Sequence, residues 1–146
     1  MAEGVSAHFT DGGARAVAAA TEAARAHNAA EVGMAHLAVG VLQNADDDML
    51  IMLSRYGLTA DAARRRLIAA RPDDPVVAAP PFGLKVRAAL RLAHTVTSAR
   101  ESRIACAHLL MALLMMRDTS LLAFLRERSE IDDIVAWLAA RVGEMS

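Results

Sequence analysis

Aromatic side chains make up only 3% of the 146 residues, lysine occurs once, at Lys85, and cysteine once, at Cys106. Proline is found nowhere outside the stretch from Pro72 to Pro81. A core so poor in aromatics must be filled by Ala, Leu, Val, Ile and Met, a palette that suits close helix packing better than a sheet. A single cysteine permits no internal disulfide, which fits a reducing, cytoplasmic compartment. The single lysine, two residues behind Gly83, belongs to no Gly-x-x-x-x-Gly-Lys phosphate loop, so the chain alone does not hydrolyse ATP. With 16 basic and 17 acidic side chains the net charge is −1, which leaves no electrostatic footprint for nucleic acid or an anionic membrane. The longest apolar run, Ile104 to Met116, is broken by His108 and falls short of the ~18 to 20 residues that span a bilayer. MAEGVSAHFTDGG at the N-terminus has neither the basic start nor the apolar run of a signal peptide.

Apolar residues, by contrast, make up 55% of the chain. Alanine inflates that share, but it still exceeds what a small helical domain needs and implies an exposed apolar groove or partner surface. The length fits one domain, able to bury roughly 68 to 70% of the surface of its unfolded chain.

The sequence also says nearly the same thing twice. VGMAHLAVGVL, Val32 to Leu42, returns as IACAHLLMALL, Ile104 to Leu114, around His36 and His108. Met49, Met52 and Leu53 answer to Leu121, Phe124 and Leu125 in the same register, 72 residues on. Phe9 and Phe82, each ahead of an Ala-rich stretch, correspond with one residue of slippage. Such self-similarity marks a duplicated structural unit. All four prolines fall in RPDDPVVAAPP, Arg71 to Pro81, and proline favours an extended connector. The expected organisation over residues 1–146 is one domain, with repeat one at about 9–70, a connector at 71–81 and repeat two at about 82–143.

Each half reads as four helices. In the first they are predicted at 11–27, 35–43, 47–56 and 60–70, with Thr10 or Asp11 capping the first and Gly57 ending the third. In the second they fall at 84–99, 107–116, 119–128 and 131–142. The last is marked by Ile131, Ile134, Val135, Leu138, Ala139 and Val142 on one helical face. The predicted fold class is all-α, a pseudo-twofold pair of four-helix units.

Candidate chemistry is sparse. No Gly-x-Ser-x-Gly elbow or paired-histidine zinc motif is present. Cys106 and His108 lie near a helix start, where a dipole can stabilise a thiolate, yet their counterparts are Met34 and His36, and methionine is no nucleophile. A buried structural thiol is the reading preferred over a catalytic one. His36 and His108 suit a packing role at the repeat interface with a hydrogen bond to a loop carbonyl, and two histidines alone make no metal site. Asp46, Asp47 and Asp48 lack the alternating spacing of a calcium loop and suit the N-terminus of a helix. Arg64, Arg65 and Arg66 read as a solvated face. Met111, Met115 and Met116 read as core or as an adaptable partner surface.

FTDGGARAV at Phe9 to Val17, AAEVGMAHLAVGVL at Ala29 to Leu42, YGL at Tyr56 to Leu58, PF at Pro81 and Phe82, and IACAHLLMALL together resemble the double Clp repeat. That repeat forms the N-terminal domain of Clp AAA+ unfoldases, and the likeness is greatest to the ClpC type. The resemblance implies two four-helix repeats and a non-catalytic domain that receives adaptors and substrates for an ATPase. The chain is then either a domain of a longer protein or, starting as it does at Met1, a free-standing copy. The ClpC pattern has Gly-Thr-Glu-His where this chain has Gly33, Met34, Ala35 and His36, and Ala105, Cys106, Ala107 and His108. The resemblance thus makes Met34, Ala35, Cys106 and Ala107 degenerate phosphoarginine positions, without threonine caps or carboxylates and with nothing nearby to replace them.

The resemblance further implies an apolar groove between the starts of the first and fifth helices, where cyclic-peptide antibiotics such as cyclomarin bind ClpC-type domains. Val17, Phe82 and Arg87 match the family there, whereas Ser6 replaces an aromatic, Ala14 an arginine and Arg91 a glutamate. Val17 and Phe82 also fit a core role, and Arg87 a solvated one. Phe9 is expected to be structural. The partners implied are a peptide, a Clp adaptor or substrate, or the Clp ATPase itself, with no cofactor. Two alternatives stand beside this: a decoy sequestering cyclic-peptide antibiotics, and a regulator competing for adaptors.

Overall fold

The computed structural model describes residues 8–27, 29–68, 80–99, 102–127 and 131–144. Eight helices form among them: α1 (Asp11–Ala26), α2 (Met34–Asn44), α3 (Asp47–Arg55), α4 (Ala60–Leu67), α5 (Leu84–Ala99), α6 (Cys106–Met115), α7 (Thr119–Arg126) and α8 (Ile131–Glu144). Every predicted helix is present, with ends shifted by at most three residues. Most of the proline-rich connector lies outside the described residues, as do the predicted last two residues of the fourth helix.

Local chemistry explains the starts and stops. Side-chain oxygens of Thr10, Asp46, Thr59 and Asp118 accept the N–H of Gly13, Met49, Ala62 and Leu121 at 3.0, 3.0, 3.2 and 3.1 Å. Each such cap contributes about 1 kcal/mol. Asp47 and Asp48 fill the first turn of α3, opposite its positive dipole end. Gly57, at φ 71°, supplies the left-handed residue after α3, and Arg117 takes the same region after α6 at φ 54°.

The duplication becomes an interlock. Phe9 pairs with Ile104, and Phe82 with Val32, as two isolated parallel bridges. Ile104 donates its N–H to His8 C=O at 2.7 Å and accepts from Thr10 N–H at 2.9 Å; Val32 donates to Pro81 C=O at 2.8 Å and accepts from Gly83 N–H at 2.9 Å. Each copy therefore lends its leading residue to the entry of the other copy's second helix. Phe9 is buried there, as expected of a structural residue. Burying these backbone groups without partners would be costly, so the reciprocal bonds fix how the copies meet.

Helix α1 packs chiefly on α2, α5 on α6, and α2 meets α6 at the centre. Leu37, Val39, Leu109, Leu113, Phe124, Ile134 and Leu138 are fully buried between them. At the periphery Arg66 of α4 grips Glu127 after α7 at 2.8 Å, and Arg141 of α8 reaches Asp46 at 2.8 Å and Asp48 at 3.5 Å. The arginine run is thus not wholly solvated: Arg64 pairs with Asp61 and Arg66 clasps the other copy. These pairs are exposed and screened, so they orient the outer helices more than they stabilise them. No single helix among the described residues is long and apolar enough to cross a membrane.

Candidate functional site

At Nδ1 both histidines accept a backbone hydrogen bond rather than donate one. Nδ1 of His36 accepts the Gly33 N–H, and Nδ1 of His108 accepts the Ala105 N–H, each at 2.9 Å. Each ring so serves as an acceptor at the third helical position, satisfying an amide that the helix itself leaves open. Gly33 and Ala105 are the N-cap residues and have no side-chain oxygen to return the favour. Met34 and Cys106 are therefore first-turn residues rather than vacated caps. Burial, with a smaller contribution from His27, lowers the pKa of His36, which keeps the accepting nitrogen unprotonated.

Cys106 is buried, and its thiol lies 3.3 Å from Asn44 C=O and 3.5 Å from Gly12 C=O. Burial, and then the charge of Asp46, push its pKa up to about 11 against the opposing pull of Arg15. A protonated thiol donating to carbonyls at a helix end packs and does not attack. Among the described residues no group of three or more His, Cys, Asp or Glu is placed to hold a metal.

The two degenerate positions are not equivalent in space. Met34, Cys106 and Ala107 are buried, whereas Ala35 is half-buried. Ala35 opens onto a cleft of about 450 Å³ between the copies, bounded by Glu31, His36, Leu67, Leu84 and Lys85. A second hollow of about 340 Å³ continues from it past His27 and Ile68. Leu84 is 76% exposed at its edge. Asp118 and Ser120 close the far side, with Asp118 3.6 Å from Lys85. Contrary to the sequence reading, carboxylates do stand near Ala35. Glu31, whose Oε1 lies 2.9 Å from where a Cβ on Gly83 would be, has no ion-pair partner among the described residues.

The residues of the expected antibiotic groove lie on α1, on α5 and just ahead of α5. Ala14 and Val17 sit one turn apart on α1, both half-buried, and Arg87 and Arg91 one turn apart on α5, both exposed. Phe82 lies half-buried in the bridge to Val32. Ser6 is outside the described residues. None of these residues lines the cleft beside Ala35. Sequence reasoning missed Glu31, Leu67, Leu84 and Asp118, of which only Leu84 carried a signal, as an apolar residue at a helix start beside the sole lysine.

A model of the Clp repeat (R) N-terminal domain matches residues 8–128. The chain belongs to this family. Among solved structures, this Clp-repeat chain is similar to the N-terminal domain of the chaperone ClpD from Arabidopsis thaliana, at 18% identity and a TM-score of 0.72, covering 93% of this chain and 95% of that one. It is similar to the Hsp104 N-terminal domain from Candida albicans at 19% identity and a TM-score of 0.73, over 89% and 88% of the two chains. The N-domain of ClpV, solved in complex with a VipB peptide, matches at 18% identity and a TM-score of 0.64, over 84% and 80%. At such identities these likenesses establish the fold, the eight-helix Clp repeat pair. No curated protein matches the chain in sequence.

Proposed function

We propose that this Clp-repeat chain is a non-catalytic binding module whose two copies form one domain and receive a peptide segment in the cleft beside Ala35. The observation that carries this reading is the open cleft itself. It joins exposed Leu84 and half-buried Leu67 to the unpaired carboxylate of Glu31. Apolar walls with a few convergent polar groups are what a ligand site requires. The ClpV N-domain, solved with a peptide, supports a peptide as the ligand type. The charge of Glu31 favours a segment that pairs an apolar side chain with a cation. Because Ala35 and Ala107 carry no carboxylate and Ala107 is buried, ClpC-type phosphoarginine selectivity is absent, and a phosphate on the ligand adds nothing. A Clp adaptor, a Clp substrate or the Clp ATPase, met in the cytoplasm, is the natural source of such a segment.

Fluorescence anisotropy with a labelled peptide alternating leucine and arginine tests the reading. Leu84→Ser and Glu31→Gln should each weaken binding roughly fivefold or more. Affinity unchanged in both would remove the cleft from the site.

A second reading draws on Val17 and Phe82, which remain half-buried rather than sealed in the core. With Arg87 they leave a surface for a cyclic peptide of the cyclomarin type, so that the chain acts as a decoy, or as a competitor for adaptors, by mass action. Saturable one-to-one heat of binding that Phe82→Ala abolishes supports it, and absence of heat excludes the decoy.

A further inference from the structure

A second cleft, of about 480 Å³, lies between the end of α6, α7 and the start of α8. Buried Leu114 forms its floor, half-buried Leu122, Ile131 and Val135 line it, and exposed Arg117 and Arg126 stand at its edge. Neither guanidinium has an ion-pair partner among the described residues. Among the described residues the only acid lining the cleft is Asp132, in the first turn of α8, where the helix dipole already engages its charge.

The duplication supplies an internal control. By the 72-residue register of α2 with α6 and α3 with α7, the counterparts of Leu114 and Leu122 are Leu42 and Leu50, so the apolar lining is repeated. The counterparts of Arg117 and Arg126 are Ala45 and Ser54. Both arginines are thus additions peculiar to the second copy. Arg117 moreover holds a left-handed backbone at φ 54°, a conformation that costs a non-glycine residue stability. Packing gives no reason for either guanidinium, since both are exposed.

Two unpaired guanidinium groups over an apolar floor complement a carboxylate beside an apolar side chain, because the planar fork meets a carboxylate in two parallel bonds. We infer that this cleft is a second peptide-binding site, selective for acidic-apolar segments, with Arg117 and Arg126 as its specificity residues. It is independent of the cleft beside Ala35, whose unpaired charge has the opposite sign. The chain then engages two segments of unlike charge at once.

The test is anisotropy with a fluorescein-labelled peptide alternating leucine and aspartate, and with its leucine–lysine counterpart. Arg117→Gly, which keeps the left-handed backbone, and Arg126→Gln, on an exposed helix end, leave the fold intact by circular dichroism. Together they should weaken the acidic peptide roughly tenfold or more, while Leu84→Ser leaves it unchanged. Binding that weakens steeply with added salt supports the same conclusion. No binding of the acidic peptide at millimolar concentration, an acidic peptide unaffected by the double variant, or a lysine peptide weakened by it as much as the acidic one would overturn the inference. None of these results bears on the leucine–arginine peptide and the Leu84 cleft, so the two readings fail separately.

Discussion

Replacing Gly40 by alanine is the most direct test of how α1 and α2 pack. A Cβ on Gly40 would lie 2.2 Å from Ala16 C=O and 2.9 Å from Ala20 N, so backbone meets backbone with no flexible side chain to yield. The helices must part by roughly 1 Å, and a gap of that order forfeits about a quarter to a half of the dispersion energy of the contacts it opens. Overpacking of this kind costs about 3 kcal/mol or more, against a helix-propensity gain of about 1 kcal/mol. The expected net loss is about 2 kcal/mol, which lowers the melting temperature by roughly 4 to 8 °C. Gly143 provides the control, because a Cβ there meets nothing within 4 Å; Gly143→Ala should stabilise by a few tenths of a kcal/mol up to ~1 kcal/mol. The second copy carries Ala112 at the matching place, buried like Ala89 and Ala93, so it already accommodates the methyl group that the first excludes. Thermal and urea unfolding of both variants decides the matter. A Gly40→Ala protein that melts at or above the parent temperature refutes the packing argument.

Three further outcomes follow from the same structure. The lowered pKa of His36 means that the unfolded chain takes up a proton before the folded one does. Its contribution to stability is therefore complete above about pH 6.5 and is lost as pH falls through the folded value. His36→Asn, which keeps an acceptor for Gly33 N–H without a titrating ring, should lose less stability between pH 7 and pH 5; an equal loss in urea titrations contradicts this. With its pKa near 11, Cys106 presents roughly one thiolate in a thousand at pH 8, so native protein should react with iodoacetamide far more slowly than urea-unfolded protein, and comparable rates refute its burial. Arg117→Gly relieves a left-handed arginine and should raise unfolding free energy by about 1 kcal/mol, with no gain counting against the backbone assignment.

The fold was legible because its determinants are local or repeated. Thr10, Asp46, Thr59 and Gly57 punctuate helices through bonds to near neighbours in sequence, and the face from Ile131 to Val142 needs only helical periodicity. The site was much less so. Ala35 and Ala107 occupy matching places in the repeat, yet one opens onto a cleft and the other is buried, because the surroundings of each come from elements that the duplication did not keep alike. His36 was recognised as a first-turn residue, but the direction of its hydrogen bond depends on an N-cap amide that residue types do not reveal. Glu31, Leu67 and Asp118 are distant in sequence and meet only when the copies dock.

By itself the sequence determined the all-α class, the number and placement of the helices, their duplication and the absence of a phosphate loop, since these rest on periodicity, capping and composition within short windows. Only the tertiary structure decided the exchange of Phe9 and Phe82 between the copies, the inert state of Cys106 and the two clefts of opposite charge. Those depend on which backbone groups and side chains are brought together from separate stretches of the chain, and burial and electrostatics act on spatial neighbours rather than on neighbours along the chain.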